Sequence, residues 1–238
     1  MAQRTWQNKL KLRWRNIQRP CAMCGELTRR YLCFCCVKDL PLVPAKNLVG
    51  LLQVHRSGLS PFRAALAPLW YHHSVPRFIH DIKFRGAVEY LNVVSPFVVA
   101  QAIRFYSTHQ LMMPQLLIPV PIAPQRLSER GFNQAELIAQ KVGIALGIDV
   151  KSLVGRQTHQ KAAHRMTFNE RTNLSLKEFY RTEEAWPEQV SRVAIVDDVM
   201  TTGTTLTAVK ALLKRKNIIV DCWAVAITPP PKFQEGEV

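Results

Sequence analysis

Val193-Ala194-Ile195-Val196-Asp197-Asp198-Val199-Met200-Thr201-Thr202-Gly203-Thr204-Thr205 is the most informative stretch of this 238-residue chain. Four successive apolar residues read as a strand buried on both faces, the habit of parallel sheets. Two carboxylates close that strand and a Thr/Gly-rich turn follows. Beyond the turn, Leu206, Val209, Leu212 and Leu213 recur on one helical face, with Lys214, Arg215 and Lys216 placed to complement the negative end of the helix dipole and Asn217 to end the helix. An anion against such a turn meets the unpaired amides of the first helical residues, the positive end of the dipole and threonine hydroxyls. Asp197 and Asp198 would repel that anion unless the group between them offers hydroxyl donors or a metal. A ribose diol whose 5-phosphate reaches the turn meets both demands. The alternative is an ordinary connection, in which Asp198 faces solvent and the threonines only cap the helix.

The same order recurs upstream. Leu116 to Pro121 reads as a buried strand ending in a proline-stiffened loop that carries Arg126 and Arg130. Asn133 and Glu136 then form a capping box, and Leu137, Ile138, Val142, Ala145 and Leu146 supply a buried helical face up to Gly147. Repeated strand, loop and helix units favour an α/β fold, a parallel sheet flanked by helices. Parallel strands carry their outgoing loops to one end of the sheet, so Arg126, Arg130, Asp197, Asp198 and Thr201 to Thr205 are expected around one crevice. The polar stretch Arg156 to Arg171 reads as a lid.

Nearer the N-terminus, Leu69 to Tyr71 reads as a short strand. A helix follows, capped by Ser74, with Pro76 in its first turn and Val75, Phe78, Ile79 and Ile82 facing a core. It delivers Lys83-Phe84-Arg85-Gly86, whose cations are either helix-end complements or pyrophosphate contacts. Ser95-Pro96 reads as the start of a further helix to Phe105. Pro41, Pro44, Gly50, Gly58 and Pro61 punctuate a segment with no sustained period, as linker and cover loops do.

Five of the six cysteines fall between Cys21 and Cys36. Cys21 and Cys24, then Cys33 and Cys36, form two pairs with two residues inside each, the spacing that sets four thiolates around Zn²⁺. Gly25 permits the tight turn that such a knuckle needs. Cys35 is a spare that could replace Cys33 or Cys36. Disulfides and an iron–sulfur cluster are the competing accounts. Four thiolates leave no open position on zinc, so its role is read as structural. Cys222, in an apolar run, reads as core.

The chain carries 32 Lys+Arg against 17 Asp+Glu, a formal charge of +15. Residues 1–40 hold nine Lys/Arg and two acids, with Trp6 and Trp14 among the cations. That arrangement suits either phosphate contact with base stacking, as on single-stranded DNA, or a solvated arm. No apolar run approaches the length of a membrane span and no signal-peptide pattern opens the chain, so a cytoplasmic location is expected.

The segment Val193 to Thr205 resembles the phosphoribosyl pyrophosphate (PRPP) binding motif of type I phosphoribosyltransferases. The chain as a whole resembles the ComF family of bacterial competence, through the cysteine knuckle, Lys83-Phe84-Arg85-Gly86, Pro119-Val120-Pro121, Arg126, Arg130-Gly131-Phe132-Asn133-Gln134, and Arg156, Gln160, Arg171 and Asn173. The resemblance implies a phosphoribosyltransferase core over 116–238, a cover or hood and entry segment over 41–115, the knuckle over 21–40 and a basic arm over 1–20. It implies that Asp197 and Asp198 hold ribose hydroxyls, that Thr201, Thr202, Gly203, Thr204 and Thr205 hold the 5-phosphate, and that Mg²⁺ rides on the ligand. If a nucleophile displaces pyrophosphate, Arg126, Arg130, Arg156 and Arg171 are the catalytic candidates. Thr201 stands where purine-salvage relatives carry an aspartate for the base proton, which argues against purine salvage. The family also implies a role in DNA uptake and transformation, with a helicase-like competence protein as a companion. A non-catalytic single-stranded-DNA-binding or adaptor role with a vestigial PRPP site is the alternative.

Overall fold

The computed structural model describes residues 18–52, 62–157, 178–213 and 217–230. The chain divides into two compact units, Met1–Leu40 and Pro41–Val238. The basic arm up to residue 17, most of the expected lid with Gln160, Arg171 and Asn173, and Lys214 to Lys216 lie outside the described residues.

In the smaller unit, β1 (Arg19–Pro20) pairs antiparallel with β2 (Leu27–Thr28), and α1 (Phe34–Lys38) follows. Gly25, at φ +80°, closes the turn between the strands in a backbone region that side chains resist.

The larger unit is built on a parallel sheet. β5 (Leu116–Pro119), β9 (Arg192–Met200) and β10 (Ile219–Ile227) form its centre, with β6 (Asp149–Val150) beside β5. At the other edge β3 (Ala65–Leu66) and β4 (Leu69–Trp70) pair in turn with successive parts of β10. Every pairing in this sheet is parallel. Val193 to Val196 and Val220 to Ile227, apart from Asp221, are apolar and buried, as strands covered on both faces must be.

Between the strands run α2 (Val75–Arg85), α3 (Leu91–Thr108), α4 (Pro124–Arg130), α5 (Gln134–Leu146) and α6 (Thr204–Leu212). A separate antiparallel pair, β7 (Val154–Arg156) and β8 (Phe179–Arg181), precedes β9. From β5 the chain passes through α5 to β6 on one side; from β9 it passes through α6 to β10 on the other. The direction of winding therefore reverses between β5 and β9, and the crevice beyond their carboxyl ends is where open α/β sheets bind ligands.

Several local expectations are corrected by the tertiary context. The strand of the opening motif does not stop at the carboxylates but runs on to Met200, because β10 stays paired with it as far as Ile227. Ser74 sits at the N-cap of α2 with helical dihedrals, φ −78° and ψ −19°, so its hydroxyl makes no cap and is buried without a partner. Pro96 is inside α3 rather than at its start; burial of Leu91, Val93 and Val94 carries the helix over the missing amide. The residues expected as a basic loop after β5 form α4. Helix α6 ends at Leu212, before Asn217, which has φ +61°. In the punctuated segment after Leu40, Val43, Leu48, Val49 and Leu52 are buried in the main core, and Gln101 of α3 donates to the carbonyls of Val43 and Pro44 at 3.4 Å.

A buried polar network braces the sheet. Asp221 has no exposed surface and accepts from Arg63 Nε at 3.0 Å, from Arg63 Nη2 and from the Tyr106 hydroxyl at 2.5 Å. Trp223 Nε1 donates to the same hydroxyl at 3.2 Å. Asp221 sits opposite Ala194 of β9, three residues before the acid pair and toward the other end of the sheet.

Candidate functional site

Strand β5 and its loop set one wall of the site. The ladder between β5 and β9 ends at Pro119 opposite Val196, with a last hydrogen bond from the Val120 amide to the Val196 carbonyl at 2.8 Å. Strand β9 continues past that point, so Asp197 and Asp198 stand where β5 has left the sheet. Asn133 fixes the exit. Its Oδ1 accepts from the Ala135 amide at 3.1 Å, capping α5, while its Nδ2 donates to the Val120 carbonyl at 3.0 Å.

A cavity of about 160 Å³ opens here, lined by Lys83, Arg126, Arg130, Arg156, Asp197, Asp198 and Thr205, with Asn133 and Gln134 at one side. Arg126 and Arg130 are one turn apart on α4, which sets both on one helical face. Arg130 is half-buried: its guanidinium lies 4.8 Å over the Phe84 ring and donates to Gln134 Oε1 at 3.3 Å. Burial, then the neighbouring Arg126 charge, pull its pKa below the ordinary guanidinium value. Arg156 reaches the cavity from β7 and pairs with Glu178 at 2.6 Å. Of the expected catalytic set, Arg126, Arg130 and Arg156 share this cavity, and Arg171 lies outside the described residues.

The turn after β9 is shaped by Gly203, whose φ of +84° favours glycine. Thr202 and Thr204 share a hydrogen bond between their hydroxyls at 2.9 Å, and the Thr207 hydroxyl donates to the Gly203 carbonyl at 3.0 Å. The N-cap residue of α6, Gly203, has no side chain to cap the helix, and the Thr204 amide donates to the Thr202 hydroxyl at 3.4 Å. Thr205 lines the cavity; Thr201, Thr202, Gly203 and Thr204 form the turn beside it.

The two carboxylates differ. Asp198 is 6% exposed; its Oδ1 accepts from the Val199 amide at 3.0 Å and its Oδ2 meets Lys83 Nζ. Asp197 accepts from the Asp198 amide at 2.8 Å. Burial, and next to it the Asp198 charge, hold the Asp197 carboxyl well above the usual carboxylate range. No local sequence pattern singles out Lys83 as the partner of Asp198. Its place at the end of α2, followed by Phe84 under Arg130, makes the last turn of that helix part of the site. The only sequence signal for this was two cations beside Gly86.

In the smaller unit the Sγ atoms of Cys21, Cys24, Cys33 and Cys36 lie within 4.8 Å of one another, with Cys24 and Cys33 at 3.7 Å. Sulfurs at the corners of a tetrahedron around zinc are separated by about 3.8 Å, given Zn–S bonds of about 2.3 Å. The donor set therefore fits a metal such as zinc. The Cys33 amide donates to Cys21 Sγ at 3.3 Å and the Cys36 amide to Cys33 Sγ at 3.4 Å, a thiolate-supporting second layer. Burial pushes the Cys21 thiol up, but hydrogen bonds from surrounding backbone amides outweigh it and bring its pKa down to about 6. Cys35 is exposed and outside the cluster.

Sheet, switch point and cavity define a phosphoribosyltransferase-like fold, and the Phosphoribosyl transferase domain family matches residues 127–228. "Competence protein F" of Haemophilus influenzae is 34% identical over 121 residues, 50% of this chain and 53% of that protein. "DNA utilization protein YhgH" of Escherichia coli is 27% identical over 210 residues, 87% of this chain and 90% of that protein. Among solved structures, adenine phosphoribosyltransferase of Saccharomyces cerevisiae is similar over 56% of this chain and 68% of that one, with 15% identity and a TM-score of 0.35. The chain belongs to the ComF family of type I phosphoribosyltransferase-like proteins.

Proposed function

We propose that this protein binds PRPP, or a closely related phosphoribosyl ligand, and acts in the uptake and use of external DNA. What carries the reading is the juxtaposition, at the switch point between β5 and β9, of an acid pair and a helix-opening Thr/Gly turn, with Arg126 and Arg130 sharing the cavity. Asp197 and Asp198 take the ribose hydroxyls. Amides and hydroxyls of Thr201 to Thr205 take the 5-phosphate, and Arg126, Arg130 and Arg156 face the pyrophosphate. A divalent ion directly on Asp198 would have to displace the Lys83 ammonium, so Mg²⁺ fits better on the ligand's own oxygens, where it neutralises phosphate charge.

With an acceptor present, its lone pair attacks the anomeric carbon as the bond to pyrophosphate breaks, and the three arginines neutralise the departing charge. Calorimetric titration with PRPP and Mg²⁺ tests binding, and pyrophosphate release with nucleobases and amines tests turnover. Absence of heat overturns the ligand; heat without release for any acceptor overturns catalysis.

The names of the relatives and the +15 charge favour a second reading, a non-catalytic single-stranded-DNA-binding or adaptor component. Its DNA affinity would fall steeply with salt. Salt-insensitive or absent DNA binding removes direct contact and leaves the adaptor role, with a helicase-like protein as the partner to test. The four-cysteine cluster would hold structural Zn²⁺ in either case.

A further inference from the structure

We propose that Lys83 is a specificity residue, which trades its bond to Asp198 for an anionic group on the anomeric carbon of the ligand and so selects pentose 5-phosphates that carry a second anion at that carbon. This rests on the phosphosugar reading of the cavity and deepens it.

The inference follows from how Asp198 is paired. Its Oδ1 is engaged by the Val199 amide, and the partner of Oδ2 is the Lys83 ammonium. The Asp198 side chain is 8% exposed and that of Lys83 24%, so the pair is held largely out of water. A sugar hydroxyl that donates to Oδ2 must crowd or displace the ammonium. Displacing it without compensation leaves a poorly hydrated cation in the cavity, which is unfavourable.

A ligand with a phosphate only at its far end sends that charge toward the Thr201 to Thr205 turn, away from Lys83. A ligand that also bears an anion on the carbon next to the diol supplies the ammonium with a new partner at the moment the old one is shared. Arg126 and Arg130 on α4 and Arg156 on β7 line the same cavity, and Arg130 feels the Asp198 charge, but among the described residues the ion pair with Asp198 is made by Lys83. Lys83 alone among the cavity cations of the described residues couples diol recognition to anion recognition.

The experiment compares calorimetric affinities for PRPP and ribose 5-phosphate, in the wild type, Lys83→Met and Lys83→Arg, with thermal melts to check folding. The wild type is expected to prefer PRPP by at least about tenfold, the scale of one charge-assisted hydrogen bond. Lys83→Met should lose most of that preference: the change at Asp198 is common to both ligands and cancels in the ratio, whereas the lost anion contact is felt by PRPP alone. Lys83→Arg, which keeps the charge, should retain the preference.

Equal weakening of both ligands by Lys83→Met overturns the proposal, because a residue that merely braces Asp198 cannot change the ratio. A wild type with no preference overturns it without any variant, including the case in which Lys83→Met does not fold. A wild type that binds neither compound overturns the phosphosugar reading and the role of Lys83 with it.

Discussion

Replacing Asp198 with asparagine should lower the preference for PRPP over free pyrophosphate. The substitution keeps an Oδ1 for the Val199 amide, now at 3.0 Å, but turns an NH₂ group toward the Lys83 ammonium. The ribose hydroxyl exchanges a charged acceptor for a neutral one. Hydrogen bonds to charged groups are worth about 1.5–3 kcal/mol and neutral ones about 1 kcal/mol, so PRPP should lose about 1–2 kcal/mol relative to pyrophosphate, a fall in the ratio of affinities of about 5- to 30-fold. Pyrophosphate has no diol to lose. It gains from a cavity with one fewer negative charge and a freed Lys83, and should bind about 3- to 10-fold tighter.

The same change costs stability. Breaking a fully buried pair costs about 3–5 kcal/mol, but Lys83 keeps 24% of its side chain exposed and can turn to solvent. A loss of about 1–2 kcal/mol, or about 3–6 °C in Tm, is the discounted figure. Calorimetry with both ligands on the folded variant decides. A ratio of the two affinities within about twofold of wild type, or pyrophosphate binding that weakens along with PRPP, would refute the assignment of the carboxylate to the sugar.

Three further outcomes are expected. Because the folded pKa of Asp197 is raised, the folded state binds more protons than the unfolded one above the ordinary carboxylate pKa. Its contribution is therefore present in full below that value and lost as pH rises through the folded one; Asp197→Asn should flatten this part of the Tm-against-pH curve, and an unchanged slope would show that another group carries it. Tyr106→Phe removes the donor to Asp221 and the acceptor of Trp223 Nε1, so urea unfolding should show a loss of about 2–4 kcal/mol; a loss under about 0.5 kcal/mol would mean that water replaces the hydroxyl. Cys36→Ser should lower bound zinc, measured by elemental analysis, well below about one equivalent per chain, whereas Cys35→Ser should retain it; PRPP affinity should survive both, since every residue lining the cavity belongs to Pro41–Val238.

Short-range signals account for what was readable in advance. The run Val193 to Val196, the acid pair and the turn at Gly203 are contiguous, and each owes its form to neighbours within a few residues: apolar continuity, a strained φ, a helix start. The cysteine spacing is likewise local, because two tight turns bring each pair together before any tertiary contact forms. The boundaries misread are those settled by a partner at a distance. Strand β9 extends through Asp197 to Met200 because β10 pairs with it there. Pro96 is tolerated inside α3 because the residues before it are buried.

Composition and spacing alone thus determined an α/β class, a crevice at the ends of β5 and β9, and a four-cysteine cluster. Only the tertiary structure decided what neutralises the acid pair. Lys83 and Asp198 are 115 positions apart, and Arg63 and Asp221 158 apart. Nothing in a one-dimensional pattern links an ammonium at the end of one helix to a carboxylate on a central strand. That pairing comes from packing α2 against the sheet, where a buried charge has to find its opposite.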